Sequence, residues 1–258
     1  SWTLDHVGPM ARSVEDLLHV LPFMVETAGG EVCHQVGQVL KTDTVAGLSI
    51  GIPCNWFTDM VDDRVLANFE CALRQFEALG CRLVKLPRLE VERFHAAGWI
   101  ILQSELASLH AERLDRADRF DPGLLHRLKN GLAYSARDYA DALRHRVEAL
   151  DHFLRALTGV DLLVTPGLGG EAGKLRSLTV DVDGESHAFQ SIISRNTMIF
   201  DVTGLPALML PSGQGRTGLP TGIQIVGRPG DDVLCLKLGR AFQAITEFHR
   251  MMPVGEEI

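Results

Sequence analysis

The stretch from Leu48 to Pro87 constrains the fold of this chain more than any other. Leu48-Ser-Ile-Gly-Ile-Pro53 is a short apolar run stopped by its proline, which reads as a strand. Asp62 then caps a helix whose Val65, Phe69, Leu73 and Phe76 fall on one face, and Gly80 supplies its C-terminal stop. Cys81-Arg-Leu-Val-Lys-Leu-Pro87 resumes as a second strand. Strand, helix and strand with short joints form the unit of a sheet covered by helices, so the fold class is α/β. Leu48 to Ile52 and Leu162 to Val164 are almost continuously apolar, which suits strands covered on both faces.

The remaining elements follow from periodicity and punctuation. Ser13 with Asp16 is a capping-box-like start, and Val14, Leu17, Leu18 and Leu21 form the apolar stripe of a helix that Pro22 should bend or end. Residues 29 to 46, with Gly29, Gly30 and Gly37, read as a loop. Residues 89 to 158 are helical in pattern, with breaks expected at Asp121-Pro-Gly123 and around Gly131. Asp161-Leu-Leu-Val-Thr-Pro166 returns as a buried strand, and Leu178 to Glu185 carries an Asp-Gly turn that predicts a small hairpin. Strands over Ala207–Leu210 and Ile223–Val226 and a helix from Asp231 to about Phe248 complete the series. No repeat, low-complexity tract or linker divides residues 1–258.

Charge and composition narrow the partners. A net charge of -8 argues against a nucleic-acid surface, and the arginines between Arg113 and Arg155 alternate with acids as a solvated helix face does. No run reaches the ~20 apolar residues that a membrane span needs. No secretory signal opens the chain, and Ser1 in place of Met reads as a boundary set by processing or truncation. Five cysteines, odd in number and mostly in apolar surroundings, suit reduced thiols in a cytoplasmic protein. Cys33-His34 lacks any partner motif for a metal, so neither metal nor cofactor is expected.

Chemical motifs read from the residues alone nominate no nucleophile. Around Ser212 the two glycine positions of a Gly-x-Ser-x-Gly elbow are Leu210 and Gln214, which leaves Ser212 as a turn residue. Gly167-Leu-Gly-Gly-Glu-Ala-Gly173 has neither phosphate-loop spacing and reads as a flexible surface loop.

A series of ordered motifs adds a family resemblance. Thr3-Leu-Asp-His-Val-Gly-Pro-Met-Ala-Arg-Ser13 resembles the Ser-Leu-Asp-x-x-Gly-Pro-x-x-Arg-[ST] element of the amidase signature family of serine amidohydrolases, with Thr3 in place of the serine. Arg127 to Gly131, Tyr139 to Arg146, Asp161 to Pro166, Asp201 to Ala207 and Gly218 to Gly227 are similar to later elements of that family, in order and from end to end. The stretch after Pro166 departs from it, with Gly-Leu-Gly-Gly where the family often continues Thr-x-Pro. The resemblance is to the C-terminal half. The Gly/Ser-rich segment with the nucleophile, and the lysine before it, have no counterpart here.

The resemblance implies an α/β/α sandwich with a large mixed β-sheet, incomplete in this chain, as the C-terminal portion of a single amidase domain. It implies hydrolysis of a carboxamide or related C–N bond through a Ser-cisSer-Lys triad lying upstream of Ser1, with this portion inactive alone. A bacterial amidase or ureide-type hydrolase fits better than a tRNA-linked amidotransferase component, since nothing here is basic. The alternative is a noncatalytic binding or regulatory module derived from the same fold. No catalytic residue is assigned; the substrate-binding expectation falls on Arg127, Ser194 and Met198. Asp5, Arg12 and Gln224 are expected to act structurally, as a cap, an ion-pair partner and a buried amide. The expected partners are a small amide and the missing N-terminal half of the domain, with homo-oligomerisation left open. An incomplete sheet should expose an edge or face beside a groove lined partly by residues 194 to 200.

Overall fold

The computed structural model describes residues 1–25, 29–42 and 44–252. The predicted strand–helix–strand unit forms as β1 (Ser49–Ile52), α3 (Asp63–Ala78) and β2 (Arg82–Lys85), after α1 (Val14–Met24) and α2 (Gly29–Val39). Asp62 accepts from the Arg64 backbone N–H, and Gly80 turns the chain with φ +85°. Three helices follow, α4 (Glu92–His110), α5 (Pro122–Ala133) and α6 (Ala136–Ala156), with a 3₁₀ segment at Ala111–Arg119 between the first two. Then come β3 (Leu162–Pro166), the hairpin β4 (Thr179–Val182) and β5 (Glu185–Ala188), α7 (Phe189–Thr203), β6 (Ala207–Gln214), β7 (Pro220–Val226) and α8 (Asp232–Ala244). The hairpin turns on Asp183 and Gly184, both left-handed, as the Asp-Gly pair requires.

The main sheet has the order β2-β1-β3-β7-β6, parallel over its first three strands and antiparallel thereafter. Side-chain alternation splits the core between its two faces. Leu162 and Val164 join Phe69, Phe76 and Phe242 under α1, α2, α3 and α8. Leu163, between them, joins Phe94, Phe153 and Phe200 under α4, α6 and α7. This is the expected α/β/α sandwich with a mixed sheet.

Several local expectations are corrected. Residues 29 to 39 are a helix, because Val32, Val36 and Val39 recur at helical spacing and pack into the core. That burial outweighs the ~1 kcal/mol that each glycine costs in a helix. The stretch after β3 is no surface loop: Gly167, Gly169 and Gly170 are buried. A Cβ on them would strike Met209, the Met60 carbonyl and Val180 respectively. Gly131 breaks nothing; it lies inside α5 where a Cβ would run into the Gln103 carbonyl of α4. The break falls at Ser135, whose capping box with Asp138 starts α6. Pro22 leaves α1 running to Met24, and α8 stops at Ala244, short of Phe248. Ser212 is buried within β6 beside a register shift, not in a turn. Cys33, Cys54 and Cys71 are exposed, and only Cys81 and Cys235 lie in apolar surroundings.

Among the described residues, no helix is long and apolar enough to cross a membrane. Arg137 and Arg144 pair with Asp141, and Arg155 with Asp151, along the solvated side of α6.

Candidate functional site

Helix α7 borders two concavities. The first, of about 660 Å³, lies against α4 and α5. Helical spacing sets its walls: His95, Trp99 and Gln103 follow at i, i+4 and i+8 on α4, and Gln190 and Ser194 at i and i+4 on α7. Helix α5 adds His126, Arg127 and Asn130. Gly131, one turn beyond Arg127, lets α5 approach α4 at backbone contact, and Gly98 gives room on α4 for the Val202 and Met198 side chains of α7.

Arg127 and Ser194, far apart in sequence, are brought together here. Arg127 Nη1 donates to Gln190 Oε1 at 3.1 Å, while its Nε is buried without a partner. The Ser194 hydroxyl donates to the Gln190 carbonyl at 2.7 Å, one turn back on its own helix. Met198 is not among the walls of this cavity. It is 6% exposed in the core beside Gly98 and edges a smaller hollow of about 200 Å³ with Leu4, Leu102 and Asp201.

His95 and Arg195 on the wall, with Trp56 packed against both, were not singled out by the sequence. The His95 ring sits between Trp56 and Trp99, with centroids at 5.2 and 6.4 Å. Burial lowers its pKa most, the Ser194 backbone pulls it back up and the Arg195 charge lowers it further, so the ring is held neutral. Its Nε2 is buried with no partner. The Arg195 guanidinium lies 3.9 Å over the Trp56 ring, and the Trp56 indole N–H donates to the Arg195 carbonyl at 2.9 Å. Trp56 and Met60 both hold left-handed φ, of 63° and 52°, an arrangement that clusters at ligand sites. The signal that could have found His95 is its i, i+4 spacing to Trp99, but Trp56 and Arg195 arrive from other elements.

Beneath the cavity a buried amide network ties α7 to the sheet. Asn196 Nδ2 donates to the carbonyls of Phe57 and Pro166, each at 3.0 Å. Gln224 Nε2 donates to the Asn196 carbonyl at 3.2 Å and to Thr165 Oγ1 at 3.3 Å, the role expected of it. Asp5 is exposed, and Arg12 directs Nη1 at Met252 Sδ at 2.9 Å, so the anticipated ion pair is not its contact.

The second concavity is an open groove of about 500 Å³ along the outer strand β6. His6 to Pro9, Met24, Thr197, Phe200 and Ala207 line it. Val7 on its rim is 91% exposed. Asp201 faces the groove with His6 3.9 Å away; burial pushes its carboxyl up to about 6, against a smaller downward pull from His6.

The first cavity is lined by hydrogen-bonding groups at Gln103, Asn130 and Gln190 and by the apolar rings of Trp99 and Phe189. Its one buried hydroxyl, Ser194, donates to the Gln190 carbonyl of its own helix. Among the described residues no cluster of three or more His, Cys, Asp or Glu converges as a metal site.

Comparison with known proteins gives concordant results. A family model described as Amidase matches residues 1–236. A Pseudomonas putida protein named Amidase is 29% identical over 98% of this chain and 56% of its own length. A Glutamyl-tRNA(Gln) amidotransferase component of Nitrosococcus oceani is 26% identical over 98% of this chain and 57% of its own. A crystal structure of an amidase superposes with a TM-score of 0.81 at 26% identity, covering 95% of this chain and 54% of that one. The chain therefore spans just over half the length of the relatives it matches.

Proposed function

The chain belongs to the amidase family, and on that premise we propose that it is the pocket-bearing C-terminal portion of an enzyme that hydrolyses a carboxamide or related C–N bond. In this reading the Ser-cisSer-Lys triad lies upstream of Ser1. Its lysine takes the bridging serine's proton as that serine takes the nucleophile's, the nucleophilic serine adds to the carbonyl, and the C–N bond breaks with the lysine's proton returned through the bridging serine to the leaving amine. Water then releases the acid from the acyl-serine. This portion contributes sheet strands, covering helices and the substrate cavity, and does not turn over substrate alone.

One observation carries the reading. Arg127 and Ser194, expected at the pocket from the resemblance, line one cavity, with Gln190 bridging them by hydrogen bonds to both. Met198 supports that wall from the core side. The five unpaired thiols suit a reducing compartment and support a cytoplasmic enzyme acting on a small amide.

Two measurements test it. The isolated 258-residue chain should hydrolyse no amide and take no label from a serine-directed fluorophosphonate, and the same chain joined to its upstream half should do both. Stoichiometric labelling of the isolated chain would place the nucleophile here and overturn the reading. In the joined protein, Arg127→Ala should lower kcat/KM about 10- to 100-fold, on the order of 1.5–3 kcal/mol for one charge-assisted contact, with the melting temperature nearly unchanged.

A further inference from the structure

The hairpin β4–β5 is a sheet of its own, and its two ends meet different parts of the molecule. Its base borders the cavity: Leu178, Ala188 and Phe189 all line it, and the Phe189 N–H closes the base on the Leu178 carbonyl at 2.8 Å. Leu178 is 56% exposed and held at φ 51°, a left-handed value uncommon for a residue other than glycine. The middle of the hairpin packs through a satellite core of Val180, Val182 and Ile192, separate from the two large cores on the main sheet. The tip is fastened by charge. Arg216 donates from Nε to Asp62 Oδ2 at 3.0 Å and from Nη2 to Asp183 Oδ1 at 3.3 Å, so one guanidinium joins the hairpin turn to the start of α3. The Asp63 N–H adds a bond to Asp183 Oδ1 at 2.9 Å. The turn that carries Arg216 is itself fixed, because Glu171 accepts from the N–H groups of Thr217 and Leu219 and from the Thr217 hydroxyl.

These attachments differ in strength. A core of three buried side chains costs far less to part than either large core, so the hairpin opens locally below the free energy of global unfolding. Ion pairs at the surface are individually weak and screened by salt, yet they decide a balance this fine. We propose that β4–β5 is a flap over the cavity and that Arg216 is its latch. With the tip fastened, Leu178 and Ala188 stay on the cavity wall; with it released, they swing away and admit a small molecule. Arg216 is then a positioning residue, acting through Asp183 on a wall to which it does not belong. The flap governs access alone and does so whatever the cavity binds.

Hydrogen exchange read by mass spectrometry on the 258-residue chain tests the latch. Arg216→Gln should speed exchange of the β4–β5 amides about 3- to 10-fold, the scale of two partly exposed ion pairs, and leave β1, β3 and β7 unchanged. Raising NaCl from about 0.05 to about 0.5 M should do the same to the unmutated chain, which serves if the variant does not fold. The Trp99 indole on the cavity wall reports access. Its ¹H–¹⁵N resonance should lose intensity to the neutral nitroxide TEMPOL at a lower concentration once the latch is released, by Arg216→Gln or by salt. Unchanged β4–β5 exchange, or a rise shared by the main sheet, overturns the latch. A hairpin that exchanges faster while Trp99 stays equally protected overturns the flap. Neither result bears on the substrate reading, which stands or falls by Arg127→Ala in the joined protein.

Discussion

The two edges of the main sheet are finished differently. Strand β2 is short, and Arg82 and Lys85 stand exposed at its ends, so an approaching strand meets charge. Strand β6 is twice as long, from Ala207 to Gln214, and carries no charged residue. Its inward Leu208 and Leu210 are packed under α8, while Ala207 and Met209 face outward, Met209 being 45% exposed. Pro211 and the adjoining register shift blunt its second half, which leaves Ala207–Leu210 as the open stretch. The difference leaves one edge guarded by charge at β2 and the other apolar and open at β6. The groove lies beside β6, and Thr197 and Phe200 of α7 line it.

The sharpest test compares the two faces of β6. Leu210→Ala should cost about 2–4 kcal/mol in chemical denaturation, because a buried side chain is deleted from packed surroundings. Met209→Ala should stay within about 0.5 kcal/mol, as exposed positions do. Equal costs would mean that the outer face is covered, and the contrast between the edges would disappear.

A smaller effect separates the edges themselves. Met209→Lys should lower self-association of the chain about tenfold, roughly 1.4 kcal/mol, and Arg82→Ile should raise it by a similar factor, both read by sedimentation velocity. If neither moves, edge pairing does not govern assembly.

The smallest effect concerns the groove beside β6. Asp201 has its carboxyl pushed up to about 6 from 3.8, so the folded chain binds that proton more readily than the unfolded one. Stability is then fully present below about pH 4 and declines as pH rises through 6. Asp201→Asn should leave the melting temperature unchanged near pH 4 and raise stability at pH 7.5. The gain should be under about 1 kcal/mol, because solvent screens a half-exposed group. A gain already present at pH 4 would point to packing, not charge.

The parts of the molecule that were legible in sequence are those written by local rules. Asp62, Gly80 and the apolar runs of β1 and β3 announce their elements through caps, stops and burial, and Asp183-Gly184 announces its turn. Helix α2 was hidden because its glycines argue for a loop, and only contacts with the core decide otherwise. The glycines after Pro166 show the opposite failure: they mark tight backbone approach, yet sequence cannot tell a crowded glycine from a free one. At the site, Arg127 and Ser194 were reachable because they sit in ordered motifs. His95, Trp56 and Arg195 come from different elements, and nothing in their spacing foretells that they pack together.

The glycines at positions 98 and 131 hold α4 close to α7 and α5: an added methyl at 131 would strike the Gln103 backbone, and one at 98 would crowd the Val202 and Met198 side chains. The frame of the cavity is thus fixed by the absence of side chains, while its lining at His95, Arg127 and Gln190 projects from helices already secured elsewhere. Such a division lets a lineage retune what the cavity accepts one residue at a time, with little risk to the scaffold. Variation among close relatives should therefore collect at those three lining positions and spare the two glycines.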